Sequence, residues 1–419
     1  MILRVALLFG LLGCFGCGPN EAIEDGLLGV PLNGSDAPTA EEMMNWHATW
    51  TTAMHALEGP QIVADETLRQ EVRLTVGGDQ LRVRLSNRFG AEPVTVSRAA
   101  VGEAAEAGAV VAGSSRAVTF DGAAGVTIAP GETVYSDAVV FAAKPLSILS
   151  VSLYFADQTV LMDAHTLGPR TSYLVSGDAT ADALSSAPSS IPGWISLSGV
   201  DVSRATTVPV IAAFGDSITD GYGAEDLDGS WPSRVAAELG GEASVINLGI
   251  SGNRLLAGAN PTLGPGGVAR YGQDVLTQSG LTDVIILEGI NDLGAAVFPA
   301  VYGEGEGYSL PGEGILTAGH RELIVQARAR ELRVIGATVL PWNTLAMQKP
   351  EAETARVALN EWVRYRAAYD AVIDFDALMA DPEDPTRLRA EYDSGDGLHP
   401  NDAGYAAMAA LALEVISAP

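Results

Sequence analysis

Two short polar segments of the sequence carry side chains that could together perform nucleophilic acyl transfer. Ser217 lies in the block GDSITDG over residues 215–221, directly after an apolar run. A serine hydroxyl is a poor nucleophile at its ordinary pKa and needs a base within hydrogen-bond reach. Near the end of the chain, Asp396 and His399 stand three residues apart in DGLHPN. His399 is therefore the candidate base, and Asp396 would hold its ring and tautomer.

Two further segments offer hydrogen-bond donors for the oxyanion that forms when a serine attacks an ester carbonyl. Residues 247–253 read NLGISGN, where Gly252 lets the backbone approach a substrate closely and offers an N–H. Residues 289–292 read GIND, where the amide of Asn291 is a second candidate donor. Both segments follow apolar runs, as Ser217 does, which predicts that all of them gather at one edge of a sheet.

The apolar runs that precede these blocks predict the fold of the C-terminal half. They are largely continuous rather than alternating, which is typical of strands buried on both faces of a parallel sheet. Strand and helix patterns alternate, which predicts a three-layer α/β domain over residues 206–419 with a ligand crevice at the carboxyl ends of its strands. The predicted strands are 210–214, 244–248, 283–287 and 333–340, and the predicted helices are 231–239, 315–330, 354–369 and 403–417.

Residues 45–205 instead predict an all-β sandwich domain, because short strands recur there with turn residues between them. The runs 71–76 and 80–86 flank a Gly-Gly-Asp segment, and Arg82 and Arg84 alternate with apolar residues in the second run. This pattern predicts a half-buried antiparallel hairpin. The boundary between the two domains is expected near residue 205.

The N-terminus has the pattern of an export signal. Residues 1–17 carry one positive charge and an apolar stretch too short to span a bilayer as an ordinary helix. The segment ending at Cys14 is similar to a bacterial lipobox, Cys17 is the alternative lipidation site, and a plain secretory signal is the other interpretation. Residues 18–44 predict a flexible tether. The protein is expected to be exported and lipid-anchored to the bacterial cell envelope, or otherwise secreted.

Composition and charge narrow the classes of function. The 419 residues contain 24 Lys plus Arg and 52 Asp plus Glu, which gives a formal net charge of −28. So acidic a surface repels phosphate backbones and anionic headgroups, which argues against nucleic acid as a partner and leaves a lipid anchor as the expected membrane contact. Both cysteines lie in the signal, so no disulfide or thiol nucleophile is expected in the folded part. The histidines lack metal-ligand spacing, and no metal or other cofactor is expected.

Several other residues have plainer interpretations. Asp216 and Asp292 lie inside the blocks and are expected to fix loops by accepting hydrogen bonds. His165 and His320 are the two remaining histidines that could lie near the domain junction or the crevice; His47 and His55 are expected at the surface or in the core. A core role is also expected for the large aromatics, with sugar platforms as the alternative. These aromatics are Trp46, Trp50, Trp194, Trp231 and Trp342.

The segment after GIND, residues 294–314, is rich in glycine and contains Phe298, Tyr302 and Tyr308. Long connections of this kind in compact domains are often functional. It is expected to form a mobile lid or a pocket wall.

Taken together, the blocks GDSIT, NLGISGN, GIND and DGLHPN, in this order, resemble the four signature blocks of the GDSL or SGNH hydrolase family. The resemblance implies that Ser217 is the nucleophile and that His399 and Asp396 complete a catalytic triad. It also implies an oxyanion hole formed by the backbone N–H groups of Ser217 and Gly252 together with the side chain of Asn291.

The resemblance covers about residues 210–418, and its serine block is unlike the G-x-S-x-G elbow of the α/β-hydrolases. Residues 45–205 resemble, less specifically, the β-domain that precedes the catalytic domain in some bacterial GDSL esterases. The function expected from this resemblance is hydrolysis of short-acyl carboxylic esters through an acyl-enzyme, on a small-molecule or glycan ester such as an O-acetylated carbohydrate. A lipase for longer chains is one alternative. A non-catalytic surface protein that binds glycans is the alternative from another class.

Overall fold

The computed structural model of the chain describes residues 46–166, 170–181, 188–225, 227–305, 308–312 and 314–418. The predicted signal with Cys14 and Cys17 and the predicted tether therefore lie outside the described residues. No helix within the described ranges is long and apolar enough to cross a membrane.

The described part of residues 46–203, here called the antiparallel region, contains short strands joined by turns and loops, and one turn of 3-10 helix at Glu106–Gly108. Their apolar side chains pack into one core between the sheets. The strands are β1 (Trp46–Thr51), β2 (His55–Val63), β3 (Glu66–Arg73), β4 (Gly78–Asn87), β5 (Val94–Val96), β6 (Arg98–Glu103), β7 (Arg116–Val118), β8 (Val126–Ile128), β9 (Glu132–Tyr135), β10 (Val139–Ala143), β11 (Ile148–Phe155), β12 (Thr159–His165), β13 (Thr171–Ser176), β14 (Ser189–Pro192), β15 (Trp194–Ile195) and β16 (Leu197–Ser203).

These strands pair in antiparallel fashion into several sheets. The larger two run in the order β14-β13-β3-β11-β6-β7 and β1-β16-β4-β10, with β9 also paired to β4. Smaller sheets contain β15-β12-β2 and β5-β8. The predicted all-β fold of this part of the chain is confirmed.

The predicted hairpin over residues 71–76 and 80–86 is wrong. Only the first half of the run 71–76 belongs to β3, which pairs with β11 and β13, whereas the second run belongs to β4, which pairs with β16, β10 and β9. The two glycines between them allow close packing: a Cβ at Gly77 would lie 2.4 Å from the carbonyl oxygen of Ala143. The chain thus crosses here from one sheet to another instead of folding back on itself.

The alternation of charged and apolar residues along β4 wrongly predicted one exposed face, because both faces of this strand are covered by other parts of the protein. Arg82 and Arg84 are buried, not solvated. The guanidinium of Arg82 pairs with Asp201 on β16 at 3.0 Å and lies 4.2 Å from the ring centroid of Tyr135. Arg84 donates to the Ser198 hydroxyl. Because these charged side chains have buried partners, they can occupy the face of β4 that the alternating pattern predicts to be exposed to solvent.

Residues 210–417, here called the α/β region, form the parallel sheet and its helices. All six residues of the first strand are buried, because helices cover both faces of the sheet. The strands are β17 (Val210–Gly215), β18 (Ser244–Gly249), β19 (Leu281–Leu287), β20 (Arg333–Ala337) and β21 (Ala371–Ile373). The helices are α1 (Ser217–Asp220), α2 (Trp231–Leu239), α3 (Gly267–Asp274), α4 (Ile290–Gly294), α5 (Ile315–Arg328), α6 (Asn343–Gln348), α7 (Pro350–Tyr365), α8 (Phe375–Met379) and α9 (Asp402–Ser417).

The order of strands in this sheet is β18-β17-β19-β20-β21, and every neighbouring pair is parallel. Chain order reverses between β17 and β19, and in such doubly wound sheets ligands bind where the order reverses, outside the carboxyl ends of the strands. The predicted three-layer α/β fold is confirmed. Helix α7 begins four residues before the predicted start, since Pro350 is well suited to a first turn.

The antiparallel region packs directly against the edge of the parallel sheet, and all described residues belong to one compact unit. Along this edge the Ser244 hydroxyl at the start of β18 donates to the carbonyl oxygen of Ala48 on β1 at 2.6 Å. An ion pair of 2.6 Å joins Arg88, which follows β4, to Asp274 at the end of α3. The Ser244 hydroxyl also lies 2.7 Å from the Thr75 hydroxyl, and Asp274 also pairs with Arg270, so both contacts belong to larger polar clusters at this edge.

Candidate active site

Ser217 is the first residue of α1, immediately beyond the carboxyl end of β17. The carboxylate of Asp216 caps this short helix by accepting a hydrogen bond of 2.9 Å from the Ile218 N–H. The backbone then leaves the helix through Gly221, whose φ of 110° is in the left-handed region that favours glycine. The cap and the glycine exit confine the serine to a tight turn at the edge of the sheet.

Ser217, His399 and Asp396 form one hydrogen-bonded chain. The Oγ of Ser217 lies 2.8 Å from His399 Nε2, and His399 Nδ1 lies 2.6 Å from Asp396 Oδ2. The other oxygen of Asp396 accepts the backbone N–H groups of Leu398 and His399. The structure thus brings together three side chains that are up to 182 residues apart in the sequence.

The ionisation of Asp396 supports this arrangement. Partial burial opposes ionisation of Asp396, but the hydrogen bonds from the side chain and backbone of His399 outweigh it and hold the pKa of this carboxyl well below its usual range. Asp396 is therefore ionised at neutral pH, where it favours the tautomer of His399 with a proton on Nδ1. That tautomer leaves Nε2 free to accept the proton of Ser217.

The predicted oxyanion donors occupy loops after β18 and β19. Asn291 is buried on α4, where its Nδ2 donates to the carbonyl oxygen of Asn253 at 2.8 Å and its Oδ1 accepts from the Tyr302 hydroxyl at 2.7 Å. These two bonds fix which way the amide faces. Gly252 has a φ of 77°, and a Cβ there would lie 2.8 Å from the Leu263 side chain. Glycine is therefore required where the backbone passes close to this apolar wall.

Arg270 on α3 ties together the ends of the strands from which these loops begin. It is fully buried, and its guanidinium donates to the carbonyl oxygens of Gly215 at 2.8 Å and Leu248 at 2.9 Å. The same group donates to the Asn253 side chain at 2.7 Å and pairs with Glu288 at 3.3 Å. One cation therefore sets the relative positions of the ends of β17, β18 and β19.

Three buried carboxyl groups lie behind the serine. Burial raises the pKa of Asp216 to about 7, that of Asp292 to about 6, and that of Glu288 well above its ordinary value. Asp292 accepts from the backbone N–H groups of Leu255 and Leu256, at 2.7 Å and 3.0 Å. Asp216 and Asp292 thus fix loops by accepting hydrogen bonds, as expected from the sequence.

The described part of the segment after GIND forms a wall of the site. Phe298 stacks on Trp342 with ring centroids 5.7 Å apart, and Tyr302 is buried against Asn291. The Tyr308 hydroxyl accepts from Arg254 at 2.9 Å. Of the two predicted roles, lid or pocket wall, these contacts favour the wall.

Tyr222 borders the site on the side of His399. Tyr222 is 50% exposed, and the centroid of its ring lies 4.6 Å from that of the imidazole. The Tyr405 hydroxyl donates to the Tyr222 carbonyl oxygen at 2.6 Å and holds its backbone. A half-exposed tyrosine therefore stands beside the imidazole of His399.

Sequence reasoning missed several residues that support this site. Asp220 and Ser251 lie inside the recognised blocks, yet only the structure joins them, at 2.6 Å between Ser251 Oγ and Asp220 Oδ2. The blocks themselves were the only available signal for Asp220 and Ser251, and for Arg270 the sequence offered none. His165 contacts Asp220 from the antiparallel region, in agreement with the expectation that it could lie near the domain junction or the crevice. Tyr302 belongs to the segment that was expected to form a lid or a pocket wall, but its bond to Asn291 was not foreseen.

The other residues considered from the sequence are structural. His320 is buried between the Tyr369 hydroxyl and the Glu288 carbonyl oxygen. His47 and His55 are buried in the antiparallel region. Four of the five tryptophans considered as sugar platforms are buried, namely Trp50, Trp194, Trp231 and Trp342.

This fold and this site define residues 210–417 as a three-layer α/β protein with a serine, a histidine and an aspartate in one hydrogen-bonded chain at the switch point of its sheet. Residues 213–407 match the model of the GDSL-like lipase/acylhydrolase family, and this part of the chain is a GDSL-family domain. The family consists of lipases and acylhydrolases, so the general activity indicated is that of an ester hydrolase. No curated protein sequence matches the chain.

Solved structures of the same family are similar to about half of the chain. An acetyl xylan esterase is 20% identical, with a TM-score of 0.37, over 49% of this chain and 98% of its own. A carbohydrate acetylesterase family member from Sinorhizobium meliloti is 19% identical, with a TM-score of 0.37, over 50% of this chain and 97% of its own. A GDSL-like lipase from Bacteroides thetaiotaomicron is 21% identical, with a TM-score of 0.36, over 49% of this chain and 87% of its own.

Proposed function

We propose that the protein is a serine-dependent carboxylic ester hydrolase that acts on short-acyl esters through an acyl-enzyme on Ser217. The observation that carries this proposal is the continuous chain from Ser217 Oγ to His399 Nε2 and from His399 Nδ1 to Asp396 Oδ2, at 2.8 Å and 2.6 Å. Both distances are within the range for groups that exchange a proton. None of these three side chains has to change its position before the first proton transfer.

In the proposed mechanism, His399 Nε2 takes the hydroxyl proton as Ser217 Oγ attacks the ester carbonyl carbon. His399 then returns the proton to the oxygen of the departing alcohol, which leaves an acyl group on Ser217. A water molecule repeats the sequence, with His399 as base and Ser217 Oγ as the leaving oxygen. Asp396 stays ionised throughout and stabilises the imidazolium that forms in each half of the reaction.

The oxyanion would be held by the backbone N–H groups of Ser217 and Gly252 and by the Asn291 side chain. The Asn291 amide nitrogen carries two hydrogens, of which one is donated to Asn253 O, so the second remains for a substrate oxygen. Because the Tyr302 hydroxyl occupies Oδ1, the amide keeps its donor side towards the loop of Gly252. Donors fixed in this way stabilise charge that exists only near the transition state.

Two contacts support a small acyl group and a carbohydrate alcohol. The Leu263 side chain stands against Gly252, so there is little free space beside this proposed oxyanion donor. On the other side, the departing alcohol must lie at His399 Nε2 to receive its proton, which brings it next to the ring of the half-exposed Tyr222. Aromatic rings offer flat apolar surfaces to the C–H faces of sugars. An O-acetylated carbohydrate therefore fits both the acyl side and the alcohol side of the site. Export with a lipid anchor at Cys14 or Cys17 stays a prediction from the sequence.

The test is hydrolysis of p-nitrophenyl esters from acetyl to dodecanoyl by the purified full-length protein. The variant Ser217→Ala should lose activity by on the order of 10³-fold or more, because the nucleophile is absent. Ser190→Ala, on the exposed strand β14, is the matched control and should retain full activity.

Activity that falls from acetyl to longer chains would support the short-acyl proposal, whereas a maximum at long chains would replace it by a lipase. Full activity of Ser217→Ala would refute the serine mechanism. A folded wild-type protein without activity on any of these esters, or on acetylated xylan, would favour the glycan-binding alternative.

A further inference from the structure

The antiparallel region reaches the catalytic loops through one buried histidine. His165 is the last residue of β12, and its ring nitrogens lie 2.9 Å from the carbonyl oxygen of Ala53 and 2.9 Å from Asp220 Oδ1. A carbonyl oxygen can only accept, so Nδ1 carries a hydrogen. A second hydrogen on Nε2 would make the ring an imidazolium opposite a carboxylate. Both side chains are about 5% exposed or less.

The surroundings of the ring favour this charged form. Burial alone would lower the pKa of His165, but the charge and hydrogen bond of Asp220 outweigh burial and raise it. The other titratable or charged groups that act on the ring are His55, with its ring centroid 6.0 Å away, and Arg270. Asp220 is the carboxylate that bonds to His165, and a buried carboxylate is costly unless it is paired.

Asp220 connects this histidine to both halves of the catalytic machinery. It is the last residue of α1, the helix that begins with Ser217, so its backbone moves with the nucleophile. Its second oxygen accepts from the backbone N–H of Ser251 at 3.2 Å and from the Ser251 hydroxyl at 2.6 Å. Ser251 immediately precedes Gly252. A single carboxylate therefore joins the helix of the nucleophile to the loop of a proposed oxyanion donor.

We propose that His165 is a positioning residue for catalysis, supplied by the antiparallel region, which holds Asp220 in the orientation that aligns Ser217 with Gly252. This inference rests on the proposed function. Without the histidine, Oδ1 of the buried Asp220 would lose the donor that holds it, and the carboxylate would be free to leave its present orientation. Such a movement would weaken its bonds to Ser251. The antiparallel region is then a required part of the active site rather than an appended module.

The experiment compares four variants of the full-length protein: His165→Leu, His165→Gln, Asp220→Asn and the double variant His165→Leu with Asp220→Asn. We expect His165→Leu to lower kcat on p-nitrophenyl acetate by about 10- to 100-fold, with KM changed less than about 2-fold, because displacement of reacting groups costs rate rather than binding. His165→Gln keeps a donor towards Asp220 and should lose less. The double variant should be no worse than the poorer single variant, because the two residues act as one unit.

The matched control is His55→Gln, at a buried histidine close to His165 that forms hydrogen bonds with Ala56 and Thr166, both within the antiparallel region. It should retain wild-type kcat. Two results would overturn the inference: kcat of both His165 variants within about 2-fold of wild type, or a loss in His55→Gln equal to that in His165→Gln. If His165→Leu does not fold, as judged by Tm, His165→Gln and Asp220→Asn decide. Full activity of Ser217→Ala would instead refute the proposed function itself, so the two failures are distinguishable.

Discussion

The antiparallel and α/β regions each contain a fully buried arginine, and the two arginines stabilise different features of the fold. Arg69 on β3 donates to the Ser152 hydroxyl at 3.1 Å and to the carbonyl oxygens of Gly108 and Ala179. Arg270 on α3 donates to the carbonyl oxygens at the ends of β17 and β18 and pairs with Glu288 just beyond β19. Both side chains are 0% exposed.

The two arginines differ in which segments of the chain contain or follow the carbonyl groups that they bind. Ser152 lies on β11, and Gly108 and Ala179 lie in the connections between strands, so these bonds of Arg69 stabilise the packing of the antiparallel region. The partners of Arg270 stand directly before the segments that carry Ser217, Gly252 and Asn291. A buried guanidinium can satisfy several carbonyl groups at once in a fixed geometry. The same residue type therefore stabilises the packing of one region and aligns the proposed catalytic crevice in the other.

The largest effect is expected when each arginine is removed. Arg270→Met and Arg69→Met should each lower the free energy of unfolding by about 3–5 kcal/mol, the usual cost of breaking a buried charged network. Only Arg270→Met should also lower kcat per folded molecule, because the ends of β17, β18 and β19 would no longer be bonded to one common side chain. Chemical denaturation and active-site titration with an organophosphate measure the two quantities. An equal fall in kcat for Arg69→Met would mean that the two regions do not differ in this way.

The next effect concerns the loop that Arg270 positions. Asn291→Ala should lower kcat by about 10²- to 10³-fold with KM nearly unchanged, because its donor acts on charge present only near the transition state. Tyr302→Phe, which keeps the amide but frees its Oδ1, should lower kcat less. Steady-state kinetics on p-nitrophenyl acetate check both variants. An unchanged kcat in Asn291→Ala would remove this residue from the oxyanion hole.

The smallest effect is a dependence of stability on pH that originates in the α/β region. Asp216 has a pKa of about 7 in the folded protein, raised by burial, against about 3.9 in an unfolded chain. The folded state therefore holds a proton that the unfolded state releases, so this contribution to stability is present below about pH 4 and is lost as the pH rises through about 7.

Replacing Asp216 by Asn keeps an acceptor for the Ile218 N–H and removes the ionisation. Between pH 5 and pH 8, Tm should therefore fall less in Asp216→Asn than in the wild type, as measured by calorimetry. Asp79→Asn, at an exposed position of the antiparallel region, is the control and should show the wild-type slope. Identical slopes for wild type and Asp216→Asn would show that this carboxyl does not hold its proton on folding.

The α/β region was largely predictable because its signals are local. Continuous apolar runs predicted β17, β18 and β19 to within two residues at each end, since strands covered on both faces are largely apolar rather than alternating. The antiparallel region was predictable as a class but not in its pairing. A period of two says that one face of β4 is apolar, yet it does not say which strand lies beside β4 or that Asp201 will pair with Arg82 on its other face.

The four blocks, their placement after apolar strands and the parallel sheet that brings them to one edge could all be predicted from the amino-acid sequence. These features depend on residues a few positions apart and on the general rule that parallel strands end at the same side. The folded structure was needed to show that β3 and β4 lie in different sheets, that Arg270 joins three strand ends and that His165 reaches Asp220. Such contacts form between residues tens to hundreds of positions apart, and a buried polar group gives no sign in the sequence of which partner will satisfy it.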